Sequence, residues 1–511
     1  MTIASTPSMY GVPHVPSLYE APSTVLGITD AELDIIRGLF LVWEQKYERN
    51  VLRSMYFDGK MALKPTGNIP AESMTKIKAV LGWPEKAVSV LAELSVFDDF
   101  VSENGESDPF GISEILEDNR FDLELPQAIS AAYKHSSSFI TTALGDTQAG
   151  EPEVLVLARS AEWSSAIWDQ RRRALSSFLA VTSTDNYTGQ PLTMDVYLPD
   201  VVLSMTRRPS GSWTVDRRDN KLGEVLVEPM SFDPQLGRPF GRSRISRAVM
   251  NITDRALMSI VRTEISADFY AAPRMYALGV AETAFNKGKW NAAIDRWFAL
   301  TKNADDTLPV VGQFPQMTMQ PLVDHYKLIA TQFSGETGVP VANLGIITEN
   351  PASAEAQYAA DRRLVSVANR QNRIFGSALK RIAQRTIRLR DGVELSSELR
   401  GISSSWVNPA FTSPATSADA LLKLSKVFPW LGESEVALEF AGFSRAEIKR
   451  LLADKNRANN RTLLTSLSGL ATKAPVVPGV PDAQGMPAQP NAQEMPVAAA
   501  KPMAPMMPSG A

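Results

Sequence analysis

The chain has three imidazoles, His14, His135 and His325, and they stand far apart in sequence, so a centre built on several histidine ligands is not expected. It has no cysteine, which excludes thiolate zinc sites, iron–sulfur clusters, disulfides and a cysteine nucleophile together. No G-x-x-x-x-G-K-[ST] loop, G-x-S-x-G elbow or H-E-x-x-H helix occurs. Gly237 and Gly241 are spaced like pieces of a phosphate loop, but Arg242 and Ser243 follow them, and their expected role is to turn the chain into a helix. Two charged stretches remain. Between residues 98 and 124 stand Asp98, Asp99, Glu103, Glu106, Asp108, Glu114, Glu117, Asp118, Asp122 and Glu124 against Arg120. Ile112, Ile115, Leu116, Phe121 and Leu123 interleave with them, so these acids are expected to face water rather than hold a metal. Between 362 and 390 stand Arg362, Arg363, Arg370, Arg373, Lys380, Arg381, Arg385, Arg388 and Arg390, with no acid among them. Such a run suits phosphate oxygens, the carboxylates of a neighbouring subunit, or plain solvation. No catalytic, cofactor-binding or metal-binding residue emerges, and an enzyme is not expected.

These residues need elements to carry them. At 511 residues, 44% hydrophobic and 21% charged, the chain can bury a sizeable core, and its net charge of −4 argues against coating nucleic acid through global charge. No run approaches the roughly 18 apolar residues of a membrane span, and the N-terminal MTIASTPSMYGVPHVPS lacks the pattern of a signal peptide. Thr29 and Glu32 have capping-box spacing before Ile36, Phe40, Trp43, Tyr47 and Val51, which predicts a helix over 30–57. Further helices are expected over 71–81, from Pro84 to about 95, and over 163–179. Strands are expected at 154–157, 192–198, 201–205, 213–215 and 223–227, with a hairpin at Pro209-Ser210-Gly211. A long helix follows from Ser243 to about Asp268, then a strand at 274–278, a helix at 289–300, a strand at 308–314 and a helix at 322–333. After a turn-rich loop, a second long helix runs from Ser353 to about Arg390. Helices at 417–428, 433–441 and 444–458 complete an α+β fold that is mainly helical. From Thr472 onward the chain holds nine of its 34 prolines and no aromatic residue, the composition of a disordered tail or a partner-binding arm.

Three segments in this order resemble the portal proteins of tailed double-stranded DNA bacteriophages. They are YERNVLRSMYFDGKMAL (47–63), GRPFGRSRISRAVMNITDRALMSIVRTEISADFYAAPRMYALG (237–279) and TGVPVANLGIITENPASAEAQYAADRRLVSVANRQNRIFGSALKRIAQ (337–384). The resemblance spans about residues 30–460. It implies a ring, usually of twelve subunits, at one capsid vertex, serving as a conduit for double-stranded DNA in packaging and ejection. It also implies a subunit made of a flexible arm (1–24), a wing (25–241), a first stem helix (242–269), a clip (270–321), a second stem helix (322–337), a channel loop (338–352), a long wing helix and return (353–414), a helical crown (415–470) and a disordered tail (471–511).

The implied partners are the large terminase subunit and then a head–tail adaptor at the clip, together with the major capsid protein and a scaffolding protein. The implied location is the virion, assembled in the host cytoplasm, with no membrane and no cofactor. In the clip, Lys287, Lys289, Trp290, Arg296 and Trp297 are candidates for docking; the alternative for Lys287, Lys289 and Arg296 is the channel mouth or plain exposure, and for Trp290 and Trp297 the clip core or subunit interface. In the loop, Val341, Asn343, Leu344, Ile346, Ile347, Glu349 and Asn350 are candidates to face DNA, with Glu349 the one formal charge from Gly338 to Pro351. A conduit must let the duplex slide, so a dense basic lining would be counterproductive. On the long helix, Arg362, Arg363, Arg370, Arg373, Lys380 and Arg381 are candidates for DNA or inter-subunit contact. The alternative reading is a non-ring helical scaffold or adaptor of virion assembly.

Overall fold

Thr29 and Glu32 do close a capping box: the Glu32 amide donates to Thr29 Oγ1 (3.3 Å) and the Thr29 amide to Glu32 Oε2 (2.8 Å). From that cap α1 runs Asp30–Phe57 in the computed structural model, which describes residues 22, 25–61, 79–103, 108–185, 189–271, 275–278, 310–313, 318–346, 354–410, 414–443 and 445–471. Next come α2 (Trp83–Ala92), β1 (Phe97–Val101), α3 (Ile112–Asp118) and α4 (Phe121–His135). Eight strands follow: β2 (Ser137–Leu144), β3 (Val154–Ser160), β4 (Ser164–Asp169), β5 (Ala174–Thr184), β6 (Pro191–Tyr197), β7 (Val201–Arg207), β8 (Trp213–Asp219) and β9 (Val227–Ser231). Then α5 (Arg247–Ala271), β10 (Met275–Leu278), β11 (Val310–Gln313), α6 (Gln320–Thr337), α7 (Ala354–Asp391), the single turn α8 (Ser397–Arg400) and β12 (Ser403–Trp406) complete the unit that extends to Phe411.

Among the described residues the named strands all pair antiparallel. β4 to β8 form a five-stranded meander, β3-β2-β9 a three-stranded sheet, and β1-β12 and β10-β11 two ribbons. One face of the meander packs Leu179, Val181, Met194 and Leu203 against Ile36, Leu39, Phe40 and Trp43 of α1. The other packs Phe178, Ala180 and Tyr197 against Phe139 and Leu226. The largest core lies where α4 and α7 meet the three-stranded sheet: Tyr133 stacks edge-on against Phe232 (5.0 Å) and Phe375 (5.7 Å) beside Ile140, Val156 and Leu379. Its hydroxyl lies 2.7 Å from Ser95 Oγ, and burial pushes its pKa up. Among the described residues no helix is long and apolar enough to cross a membrane.

Two expectations are corrected. Residues 163–179 are not a helix but the β4–β5 hairpin, turned where Asp169 accepts from the amides of Arg171 (2.8 Å) and Arg172 (3.1 Å). β5 is covered on both faces, so its apolar residues do not alternate with polar ones and the period of two is hidden. The strand placed at 223–227 lies at 227–231; Val225 and Leu226 are buried ahead of it. The helices expected at 71–81 and 289–300, the N-terminal arm and the tail lie outside the described residues.

The second unit, from Thr412, is described by α9 (Pro414–Val427), α10 (Glu435–Phe440) and α11 (Arg445–Ala471). The last of these is longer than its sequence pattern suggested. Ser417, Ala437 and Ile448 are the buried residues of this second unit among those described.

Candidate functional site

The basic turn at 237–243 is built around Gly241. Its φ is +66°, and a Cβ there would lie 1.9 Å from the Phe232 carbonyl oxygen. The Arg242 amide donates to that oxygen (3.0 Å) and the Arg242 guanidinium pairs with Asp233 (2.7 Å). Ser243 Oγ donates to the Lys134 carbonyl (2.5 Å) and accepts from the Ile245 amide (2.9 Å), so the turn joins the end of α4 to the start of α5. Gly241 therefore shapes the backbone of the turn that leads into α5.

Behind the turn, α5 and α6 pack side by side. Val249 and Ala256 of α5 meet Ile329, Ala330 and Phe333 of α6, with Trp83 of α2 closing the cluster; outside it, Arg255 donates to Gln332 Oε1 (2.8 Å). The β10–β11 ribbon pairs the backbone from Met275↔Gln313 to Leu278↔Val310. The docking candidates Lys287, Lys289, Trp290, Arg296 and Trp297 lie outside the described residues.

The C-terminal end of α6 carries two guanidinium groups. Arg244 donates to the Thr337 carbonyl (2.8 Å) and to the Ala87 carbonyl (2.9 Å), and Arg363 donates to the Gly335 carbonyl (3.1 Å). Both satisfy carbonyls near the negative end of the helix dipole. Burial, helped by the nearby Arg363 charge, lowers the Arg244 pKa to about 10, so the group is charged at neutral pH. Gly338 then leaves the helix in the left-handed region (φ +77°), as a helix end of this type requires.

The loop beyond it is less open than expected. Val341–Leu344 form a 3-10 turn; Val339 and Leu344 are buried, and Val341 and Ile346 pack against the cluster of Trp83 and Phe333. Leu344 is therefore corrected from an outward-facing to a core residue: burying its side chain against the Trp83–Phe333 cluster is worth about 2 kcal/mol, which an exposed position would forfeit. Ala342, Asn343 and Gly345 are the exposed positions of this turn. Ile347, Glu349 and Asn350 lie outside the described residues.

On α7 the basic run divides. Arg370 pairs with Asp233 (3.0 Å), Arg381 and Arg385 with Glu228 (Arg385 at 3.0 Å), and Arg388 with Glu224 (2.5 Å). Glu228 is 4% exposed on β9. Pairing within the chain thus accounts for much of the run, a pattern that the sequence reading did not contain because Glu224, Glu228 and Asp233 are some 140 to 160 positions away. Arg362, Arg373 and Lys380 have no such partner among the described residues. Sequence reasoning also missed Arg244; its place directly after the Gly-x-Ser turn was the available signal.

No family model matches the chain. It is 25% identical over 439 residues to the portal protein of Mycobacterium phage D29, covering 84% of this chain and 89% of that one. It is 24% identical over 376 residues to the portal protein of Mycobacterium phage L5, covering 72% and 77%. A chain from the neck of a native GTA particle, computed with C12 symmetry, aligns at 13% identity and a TM-score of 0.39 over 78% of this chain and 98% of its own, a likeness too weak to carry weight.

Proposed function

We propose that this chain, a relative of the phage portal proteins, is the subunit of a ring at one vertex of a virion capsid, through which double-stranded DNA enters and leaves. The observation that carries the reading is the match to two mycobacteriophage portal proteins over most of their length. In this reading α5 and α6 are the stem (242–269 and 322–337). Residues 270–321 are the clip, which docks the large terminase subunit and later a head–tail adaptor. Residues 25–241 and 353–414 are the wing facing the major capsid protein, and 415–470 the crown. Assembly with a scaffolding protein belongs to the same reading, and none of these roles asks catalysis of the chain.

The physics of sliding supports the assignment of 338–352 as the channel loop. Arg244 and Arg363 fix the end of α6, and Val339 and Leu344 anchor the loop in the stem cluster, so Ala342, Asn343 and Gly345 are held out on a firm base. These three carry no charge, and much of the positive charge of α7 is neutralised by the chain's own carboxylates. A duplex passing such a surface meets shape without strong phosphate pairing.

Because Leu344 is core, deleting the loop would disturb the stem, and point substitution is the cleaner test. Ala342→Lys with Asn343→Lys should leave assembly intact and reduce the DNA packaged per capsid, the deficit easing as salt rises. Normal filling with this pair at low salt would reject the channel assignment.

A further inference from the structure

α7 carries a second basic row. Arg362, Arg373 and Lys380 are spaced eleven and seven residues apart, which places them within about 20° of one another on an α-helix and spreads them over about 27 Å. Their neighbours on that face are Ser366, Asn369 and Ser377, and none of the three cations has an ion-pair partner among the described residues. A helix that pairs Arg370, Arg381, Arg385 and Arg388 with its own chain's carboxylates has left this one row unmatched.

The row borders a groove of about 550 Å³ between α7 and β12. Arg373 and Lys380 stand on the helix side, with Ser404, Trp406 and Asn408 opposite. Gly376 permits the close approach of the two elements, since a Cβ there would lie 2.4 Å from Ser404 Oγ. Asn372, 3% exposed, also lines the groove, and its Oδ1 has no donor among the described residues. A groove of this size accepts a few residues of polypeptide and is far too narrow for a duplex. Its occupant should therefore be a protein segment that brings carboxylates to the two cations.

The same chain carries such a segment. At the corner where α3 ends and α4 begins, Glu117, Asp118 and Asp122 are exposed and form no ion pair among the described residues; Arg120 lies between them in sequence, and Arg390 lines a small cavity beside Asp118. We infer that the α7–β12 groove takes the acidic α3–α4 corner of a second copy of this chain, with Arg373 and Lys380 of one subunit facing Asp118 and Asp122 of the next. The inference rests on the proposed ring, in which every subunit presents both surfaces and a head-to-tail contact can close.

The absence of cysteine makes a direct test possible. Full-length Asp118→Cys and Lys380→Cys chains are mixed and treated with a short bis-maleimide, with Asp34→Cys, on the exposed face of α1, replacing Asp118→Cys in the control. The expected result is at least tenfold more cross-linked dimer from the Asp118/Lys380 mixture than from the control, together with a ring by light scattering. A ring whose two mixtures cross-link equally overturns this interface and leaves the ring reading standing. Selective cross-linking without a ring keeps the interface and overturns the ring, and failure of both removes both. As an independent check, Arg373→Glu with Lys380→Glu should raise at least tenfold the concentration needed for half-assembly, and adding Asp118→Lys with Asp122→Lys should restore it. Failure of that restoration, with all variants folded by circular dichroism, also overturns the interface.

Discussion

Glu228→Gln should be among the most damaging conservative substitutions in this chain. The carboxylate sits on β9 and receives Arg381 Nε at 2.7 Å and an Arg385 terminal nitrogen at 3.0 Å, and both the Glu228 and Arg385 side chains are less than a tenth exposed. Glutamine keeps the shape and removes the charge, which leaves the Arg385 guanidinium buried with Glu224 at 3.6 Å as its remaining counter-charge. Breaking one side of a buried pair costs about 3–5 kcal/mol. The amide oxygen can still accept one hydrogen bond, and Arg381 is half exposed and gains water, so the lower end applies: about 3 kcal/mol. Urea and thermal unfolding followed by circular dichroism measure this as a shift of the midpoint. The double variant Glu228→Leu with Arg385→Met should recover most of the loss, because it removes both charges from the interior. A loss under about 1 kcal/mol for Glu228→Gln would refute the internal neutralisation of Arg381 and Arg385, and with it the view that much of this helix's charge is unavailable to DNA.

Gly241→Ala should destabilise by at least about 3 kcal/mol, from the left-handed backbone and the clash with the Phe232 carbonyl, and thermal unfolding would show it; a near-neutral effect would contradict the close approach of these two segments. His135 is 1% exposed with no hydrogen-bond partner for either ring nitrogen among the described residues, and burial, reinforced by the charges of Lys134, Arg53 and Arg49, holds its pKa well below 6.5. The folded chain therefore binds fewer protons than the unfolded chain, although Glu162 lies 3.6 Å from Nε2. This contribution is complete above about pH 6.5 and is lost as pH falls below it. The melting temperature should decline from pH 6.5 to 5.5, and His135→Leu should flatten that decline; an unchanged slope would contradict it.

Parts of the fold were legible because their signals are local. The Thr29–Glu32 cap, the Gly211 hairpin, the helix stop after α5 and the length of α7 all follow from residues within a few positions of one another. β2 and β5 were hidden because both are buried on two faces, which erases alternation. β2 further disguises itself with Ser138, Thr141 and Thr142, whose hydroxyls bond to the Ala128, Leu157 and Leu226 carbonyls. The candidate site was legible in composition and illegible in direction. Nothing near Leu344 says that it turns inward towards Trp83 and Phe333, because the packing partners come from α2, α5 and α6. The basic run was visible as a run, but its division into a paired and an unpaired row depends on Glu224, Glu228 and Asp233, which only the tertiary fold brings alongside.

The most direct test of a DNA-conducting ring is the mass of the purified assembly by light scattering, joined to electron-microscope class averages of the same sample and to fractionation of virus particles. Twelve chains of 55.8 kDa predict a cyclic particle of about 670 kDa with a central hole, and the chain within the virion. A 55.8 kDa monomer that stays outside the virion would contradict the ring and favour a scaffold or adaptor of assembly.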